Sequence, residues 1–164
     1  MRTWLALLAA AVAPVAGPGP EVAAGSAGRP TLVHFILPEC ACSVRAAPQV
    51  DRLRIALGPS IRCVAIVEAE PAVAAEWCRR TGLGFEVLAD PDGRRVEAFG
   101  VERSLTTLLL DADGRELARW RGHGVSQLVE IATTAARSAG KPAPRLDLTD
   151  VPTETVAGCT FPAR

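Results

Sequence analysis

Hydrophobic and polar positions divide the chain sharply near residue 31. Residues 17 to 30 are mostly Gly, Pro, Ala and Ser, whereas Leu32-Val33-His34-Phe35-Ile36-Leu37 is almost continuously apolar. A short apolar run of this kind predicts a strand buried on both faces. Ser43 is placed to cap a following helix that carries Val44, Ala47, Val50, Leu53, Ile55 and Leu57, closed by Gly58-Pro59 and kinked by Pro48. A second buried strand is expected over Ile61 to Val67. A helix follows over Pro71 to Thr81, opened by proline and closed by Gly82.

Further along, Phe85 to Leu88 reads as a short strand leading into the turn Asp90-Pro91-Asp92-Gly93. A brief helix should end near Phe99-Gly100. Leu105 to Leu110 and Glu116 to Trp120 flank the turn Asp111-Ala112-Asp113-Gly114, the pattern of a hairpin. Ser126 to Ala139 is amphipathic, with Leu128, Val129, Ile131, Ala132 and Ala135 on its apolar side. Buried strands joined by helices and followed by a hairpin predict an α/β fold, a central mixed sheet flanked by helices.

The N-terminus adds a compartment. Arg2, an apolar run from Trp4 to Ala16 and the small residues after it match a secretory signal peptide. The run is shorter than the roughly 20 residues of a comfortable membrane span. Val22-Ala23-Ala24 or Val15-Ala16 would end the cleavable part; an uncleaved segment would instead anchor the chain. The expected organisation is a signal peptide over 1–24, a linker over 25–30, a domain over 31–140 and a C-terminal tail over 141–164. The expected location is the periplasm or another exported compartment, with no stable membrane span once the signal is removed.

Charge excludes more than it suggests. Eighteen basic residues balance eighteen acidic ones, which gives no electrostatic reason to expect a nucleic-acid partner. All five cysteines lie beyond the signal, at positions 40, 42, 63, 78 and 159. An oxidising compartment permits disulfides, and an odd number leaves at least one thiol over. With no second C-x-x-C, no C-x-x-C-H and only two histidines, His34 and His123, the spacings fit neither a zinc nor a haem site. No cofactor is expected.

Cys40 stands where the first strand gives way to a helix. Unpaired N–H groups and the positive dipole end of a helix favour a thiolate there, the nucleophile of disulfide exchange. Glu39 opposes that charge and Arg45 offsets it. Cys63 in mid-strand, Cys78 on a helix and His34 read as packed core residues.

The segment T-L-V-H-F-I-L-P-E-C-A-C-S-V-R-A-A-P-Q-V-D-R-L, residues 31 to 53, resembles the active-site segment of thioredoxin-like proteins of the TlpA and redoxin type. Phe35, Cys40 and Pro48 reproduce the spacing of the family's strand-end Phe, nucleophilic Cys and helix-kinking Pro. Two later stretches, G-L-G-F-E-V-L-A-D-P-D-G-R-R-V-E-A-F-G-V and T-T-L-L-L-D-A-D-G-R-E-L-A-R-W-R-G, are similar to the rest of that fold. Ser43 replaces the second family cysteine, Cys42 creates a C-x-C pattern, and Leu105 stands where a cis-proline is usual. The chain looks closest to exported RedB-type proteins.

The resemblance implies a thiol–disulfide oxidoreductase acting on protein thiols or disulfides of an exported partner. Cys40 is its nucleophile, and Cys42 or Cys159 resolves the mixed disulfide. A strained Cys40–Cys42 ring would suit an oxidase or isomerase. A non-catalytic reading has Cys40 and Cys42 sensing redox state or holding Cu(I). A thiol peroxidase ranks lower, because Leu37 occupies the position of that family's threonine.

Overall fold

The computed structural model describes residues 19–163. Residues 1–18 of the expected signal lie outside the described residues, as does Arg164. The order is α1 (Gly19–Ala23), β1 (Thr31–Ile36), α2 (Ala41–Leu57), β2 (Arg62–Val67), α3 (Pro71–Thr81), β3 (Glu86–Ala89), α4 (Arg94–Ala98), β4 (Thr106–Leu110), β5 (Glu116–Arg121) and α5 (Val125–Ser138). Among the described residues no helix is long and apolar enough to cross a membrane.

The five strands form one sheet in the order β3-β2-β1-β4-β5. β1 pairs parallel with β2, and β2 with β3; β4 runs antiparallel to both β1 and β5. The sheet is mixed, as the pattern of strands, helices and hairpin predicts. β1 sits in the middle and is buried at every residue, which accounts for its continuous apolar run.

Side-chain alternation sends Leu32 and Ile36 to one face and Val33 and Phe35 to the other. The first face packs on α2, α3 and α5 through Val50, Leu53, Trp77, Leu128 and Ile131. The second is covered by Val22 of α1, Val96 of α4, Phe99 and Phe161.

Four local expectations fail. Ser43 does not cap α2: the helix begins three residues earlier than that cap implies, with Cys40 as its N-cap, and the Ser43 hydroxyl is buried without a hydrogen-bond partner. The apolar stripe of α2 is narrower than expected. Val44 and Ile55 are exposed, and Ser43 and Asp51 are buried in their place. Asp51 is tolerable there because its carboxylate accepts hydrogen bonds from the Arg54 guanidinium and from Gly84 N. Val129 of α5 is exposed as well.

The ends of the chain also lie on the domain. α1 tucks Val22 and Ala23 against it, with Arg62 bonded to the Val22 carbonyl and Arg95 paired with Glu21 at 2.7 Å. Beyond Gly140 the described residues form no regular element, yet backbone pairing ties the stretch to the domain at several points. Val156 exchanges hydrogen bonds with His123 at 2.8 and 2.9 Å, Val125 N donates to Pro152 O, and Phe161 N donates to Glu102 O. Gly122 permits this approach. At its φ of +86° a Cβ would stand 2.7 Å from Thr155 Cγ2 and 2.8 Å from the Val156 oxygen.

Candidate active site

β1 ends at Ile36, and the chain turns through Leu37, Pro38 and Glu39 before α2 begins. The turn is pinned from two sides: Cys40 N donates to Leu37 O at 3.0 Å, and the Trp77 indole of α3 donates to Pro38 O at 3.1 Å. Cys40 is thereby held at the N-terminus of a 17-residue helix. It is 1% exposed.

Cys40 is joined by a disulfide to Cys159, 119 residues later, with Cα atoms 5.8 Å apart. That separation is within the ordinary reach of an S–S bond. Cys159 N also donates to Cys40 Sγ at 3.3 Å. Two more bonds lay this stretch along the loop before β4: Ser104 N donates to Cys159 O at 2.9 Å and the Arg103 guanidinium to Gly158 O at 3.3 Å.

Gly158 makes the fit possible. A Cβ there would stand 2.0 Å from the Ser104 carbonyl oxygen and 2.4 Å from its carbon, both backbone atoms that cannot rotate away. Gly158→Ala is therefore expected to lift Cys159 off Cys40, to destabilise the protein by about 2 kcal/mol and to slow closure of the bond. Denaturant unfolding and the rate of thiol loss during reoxidation would measure both. Wild-type behaviour in each would refute the close packing.

Leu105 lies on the other flank of the site. Among the described residues no peptide bond is cis. Leu105 instead adopts φ +60°, the left-handed region that a non-glycine residue enters at a penalty of about 1–2 kcal/mol. Its backbone is held by Leu105 N to Phe35 O at 3.0 Å and Gly122 N to Leu105 O at 3.1 Å. The side chain is 1% exposed, and burying a leucine offsets a strain of that size.

Cys42 is not joined to Cys40. It is a free, half-buried thiol on the first turn of α2, with Arg45 Nη2 3.8 Å from its sulfur. It opens onto a cavity of about 260 Å3 that Gln49, Leu105 and His123 also line. Gln49 and His123 carry no motif signal, since only folding brings them beside a thiol 81 positions from the histidine.

Cys63 and Cys78 are free and buried. Burial pushes their thiols up to about 12 and about 11 respectively, so neither supplies thiolate at neutral pH. His34 is buried and hydrogen-bonded to Thr107 Oγ1 at 2.8 Å. Burial, helped by the nearby His123, holds its imidazole down to about 3. Among the described residues no three His, Cys, Asp or Glu side chains converge as metal ligands would. Cys40, the first thiol of the Cu(I) reading, is occupied by its bond to Cys159.

No family model matches the chain, and neither does any curated protein. Solved structures do match in fold. A Chlorobium tepidum protein proposed to be the thiol:disulfide interchange protein DsbE superposes with a TM-score of 0.62 at 18% identity, over 71% of this chain and 84% of its own. The chain has a thioredoxin-like fold. The exposed lipoprotein thioredoxin of Streptococcus pneumoniae gives 0.59 at 19% identity over 70% and 89% of the two chains. MTB DsbF gives 0.54 at 23% over 69% and 80%. In the thioredoxin-like frame, Cys40 occupies the junction of central strand and helix where the sequence resemblance puts the nucleophile.

Proposed function

We propose that the protein is an exported thiol–disulfide oxidoreductase whose exchanging pair is Cys40 and Cys159. The observation that carries this reading is the bond between them, made at the N-terminus of α2. The names of the structural neighbours, a thiol:disulfide interchange protein and a thioredoxin among them, point the same way. Cys42 stays outside the pair.

In the oxidised protein Cys40 is buried and Cys159 belongs to an exposed residue. That contrast supports attack by a partner's thiolate on Cys159 Sγ. A partner–Cys159 bond forms, the Cys40–Cys159 bond breaks, and Cys40 leaves with the electron pair as a thiolate. The helix N-terminus and the Cys159 N–H suit that charge. A second partner thiolate then attacks the partner's own sulfur in the mixed disulfide and releases Cys159. The partner is oxidised by two electrons, the protein is reduced by two, and each released thiolate takes a proton from water. Run backwards, the same steps reduce a partner disulfide, with Cys159 attacking and Cys40 resolving; the sequence alone suggested the opposite division of roles.

Export places this chemistry where disulfides persist. The packing of Val22 and Ala23 favours signal cleavage after Val15-Ala16, which keeps α1, over cleavage after Ala24. N-terminal sequencing of the mature protein decides between them.

Differential alkylation and mass spectrometry across a glutathione redox titration test the pair. Cys40 and Cys159 should open and close together, reversibly, at an intermediate potential, with no disulfide from either of them to Cys42. A pair that stays closed at every ratio is structural, and the oxidoreductase reading falls.

A further inference from the structure

The cavity beside Cys42 has a chemistry that the Cys40–Cys159 pair does not use. At about 260 Å3 it lies just below the range of drug-sized sites and suits a small molecule, not a polypeptide segment. Its walls are tied in place. The His123–Val156 backbone pair and the bond from Val125 N to Pro152 O hold the C-terminal stretch across one side.

Gln49 bridges the interior. Its amide nitrogen donates to Asp150 O, which turns its oxygen toward His123 Nε2, so the ring donates through that nitrogen. Burial lowers the His123 pKa, consistent with a neutral imidazole in this wall. The one fixed positive charge at the cavity is Arg45, and Asp150 is the one acidic residue of its lining. Arg45 is exposed, stands 3.8 Å from the free sulfur and, among the described residues, has no carboxylate partner.

A free thiol, an unpaired guanidinium and an amide–imidazole wall around a small space match a ligand with both a sulfur and a carboxylate. We propose that this cavity takes a low-molecular-weight carboxylate-bearing thiol, held by Arg45, as a mixed disulfide on Cys42. The bond is made from the small disulfide RSSR. The Cys42 thiolate attacks one sulfur, a Cys42–SR bond forms, and RS⁻ departs with the electron pair and takes a proton. Cys42 is oxidised and the small disulfide supplies the oxidising equivalents, so nothing else is required. The reaction does not depend on turnover of the Cys40–Cys159 pair.

Cystine and cystamine test this, because they differ only in the two carboxylates. The protein with its Cys40–Cys159 bond closed is incubated with each, and adducts are followed by intact mass and peptide mapping. A single adduct on Cys42 is expected, forming about tenfold faster with cystine than with cystamine, a ratio that one charge-assisted guanidinium–carboxylate contact can supply. In Arg45→Gln, a surface change, the ratio should fall to about one while an adduct still forms. No adduct at Cys42, equal rates in the wild type, or a cystine preference that survives Arg45→Gln would each overturn the proposal. Because the Cys40–Cys159 bond stays closed throughout, this result is independent of the glutathione titration of that pair.

Discussion

Cys40→Ser is expected to abolish thiol–disulfide exchange with a dithiol partner and to lower the free energy of unfolding by about 4 kcal/mol. The first effect is chemical. Serine cannot carry half of the bond, and an alkoxide is far too basic to leave in place of the thiolate proposed at Cys40. The second comes from the unfolded chain. The bond closes a loop of 119 residues, and tying such a loop removes on the order of 4–5 kcal/mol of chain entropy from the unfolded ensemble.

Cys159→Ser should reproduce both effects, because the bond needs both sulfurs. Cys42→Ser should reproduce neither. Denaturant midpoints of the three variants, set beside their rates with a peptide dithiol, make the comparison. A wild-type midpoint in both Cys40→Ser and Cys159→Ser would mean that the backbone pairing of the C-terminal stretch holds it as well as the bond does. Retained exchange in Cys40→Ser would remove Cys40 from the mechanism altogether. The linkage also runs the other way: a bond that stabilises the fold is itself stabilised by the fold, to the same extent. A measured stability difference between oxidised and reduced protein therefore bounds how oxidising the pair can be.

Much of the frame is legible in the sequence because single elements carry their own signals. The apolar run of β1 announces a central strand, Pro71 and Gly82 bracket α3 to the residue, and the Asp111–Gly114 turn joins β4 to β5. The local errors have local causes. Ser43 has the right chemistry for a cap, but the helix starts earlier at Cys40, which makes no side-chain cap bond. Ile55 is apolar and falls on the wrong face, while Asp51 is polar and goes inside because Arg54 and Gly84 N satisfy it.

The site is half legible. The position of Cys40 follows from the strand–helix junction, but its partner does not follow from spacing. Cys42 is two residues away and Cys159 is 119 away. The choice is made by backbone contacts that the order of residues does not display: Gly158 against Ser104, Cys159 against Cys40, and Phe161 N against Glu102 O. His34 is a similar case. Its type suggests a packed histidine, but the partner that makes burial tolerable, Thr107, comes from the β1–β4 register.

That histidine sets the second large effect, a loss of stability in acid. His34 is buried in the central strand, and its imidazole is held down to about 3 by burial first and by His123 second. In the unfolded chain it titrates near the ordinary imidazole value of 6.5. Between these two values the unfolded state binds a proton that the folded state refuses. Stability is therefore fully present above about pH 6.5 and falls as pH drops toward about 3. The slope is about 1.4 kcal/mol per pH unit, and the whole interval is worth up to about 5 kcal/mol. His123, lowered by burial as well, adds to the same trend, and protonating carboxylates contribute at the acid end.

A variant separates the terms. His34→Leu alone would leave the Thr107 hydroxyl buried without its partner, at about 1–3 kcal/mol at every pH. His34→Leu with Thr107→Val removes both groups together. Unfolding free energies of the double variant should then decline more gently than wild type between about pH 6 and about pH 4. Identical slopes would show that His34 takes up its proton within the folded core, and the acid sensitivity would belong to His123 and the carboxylates.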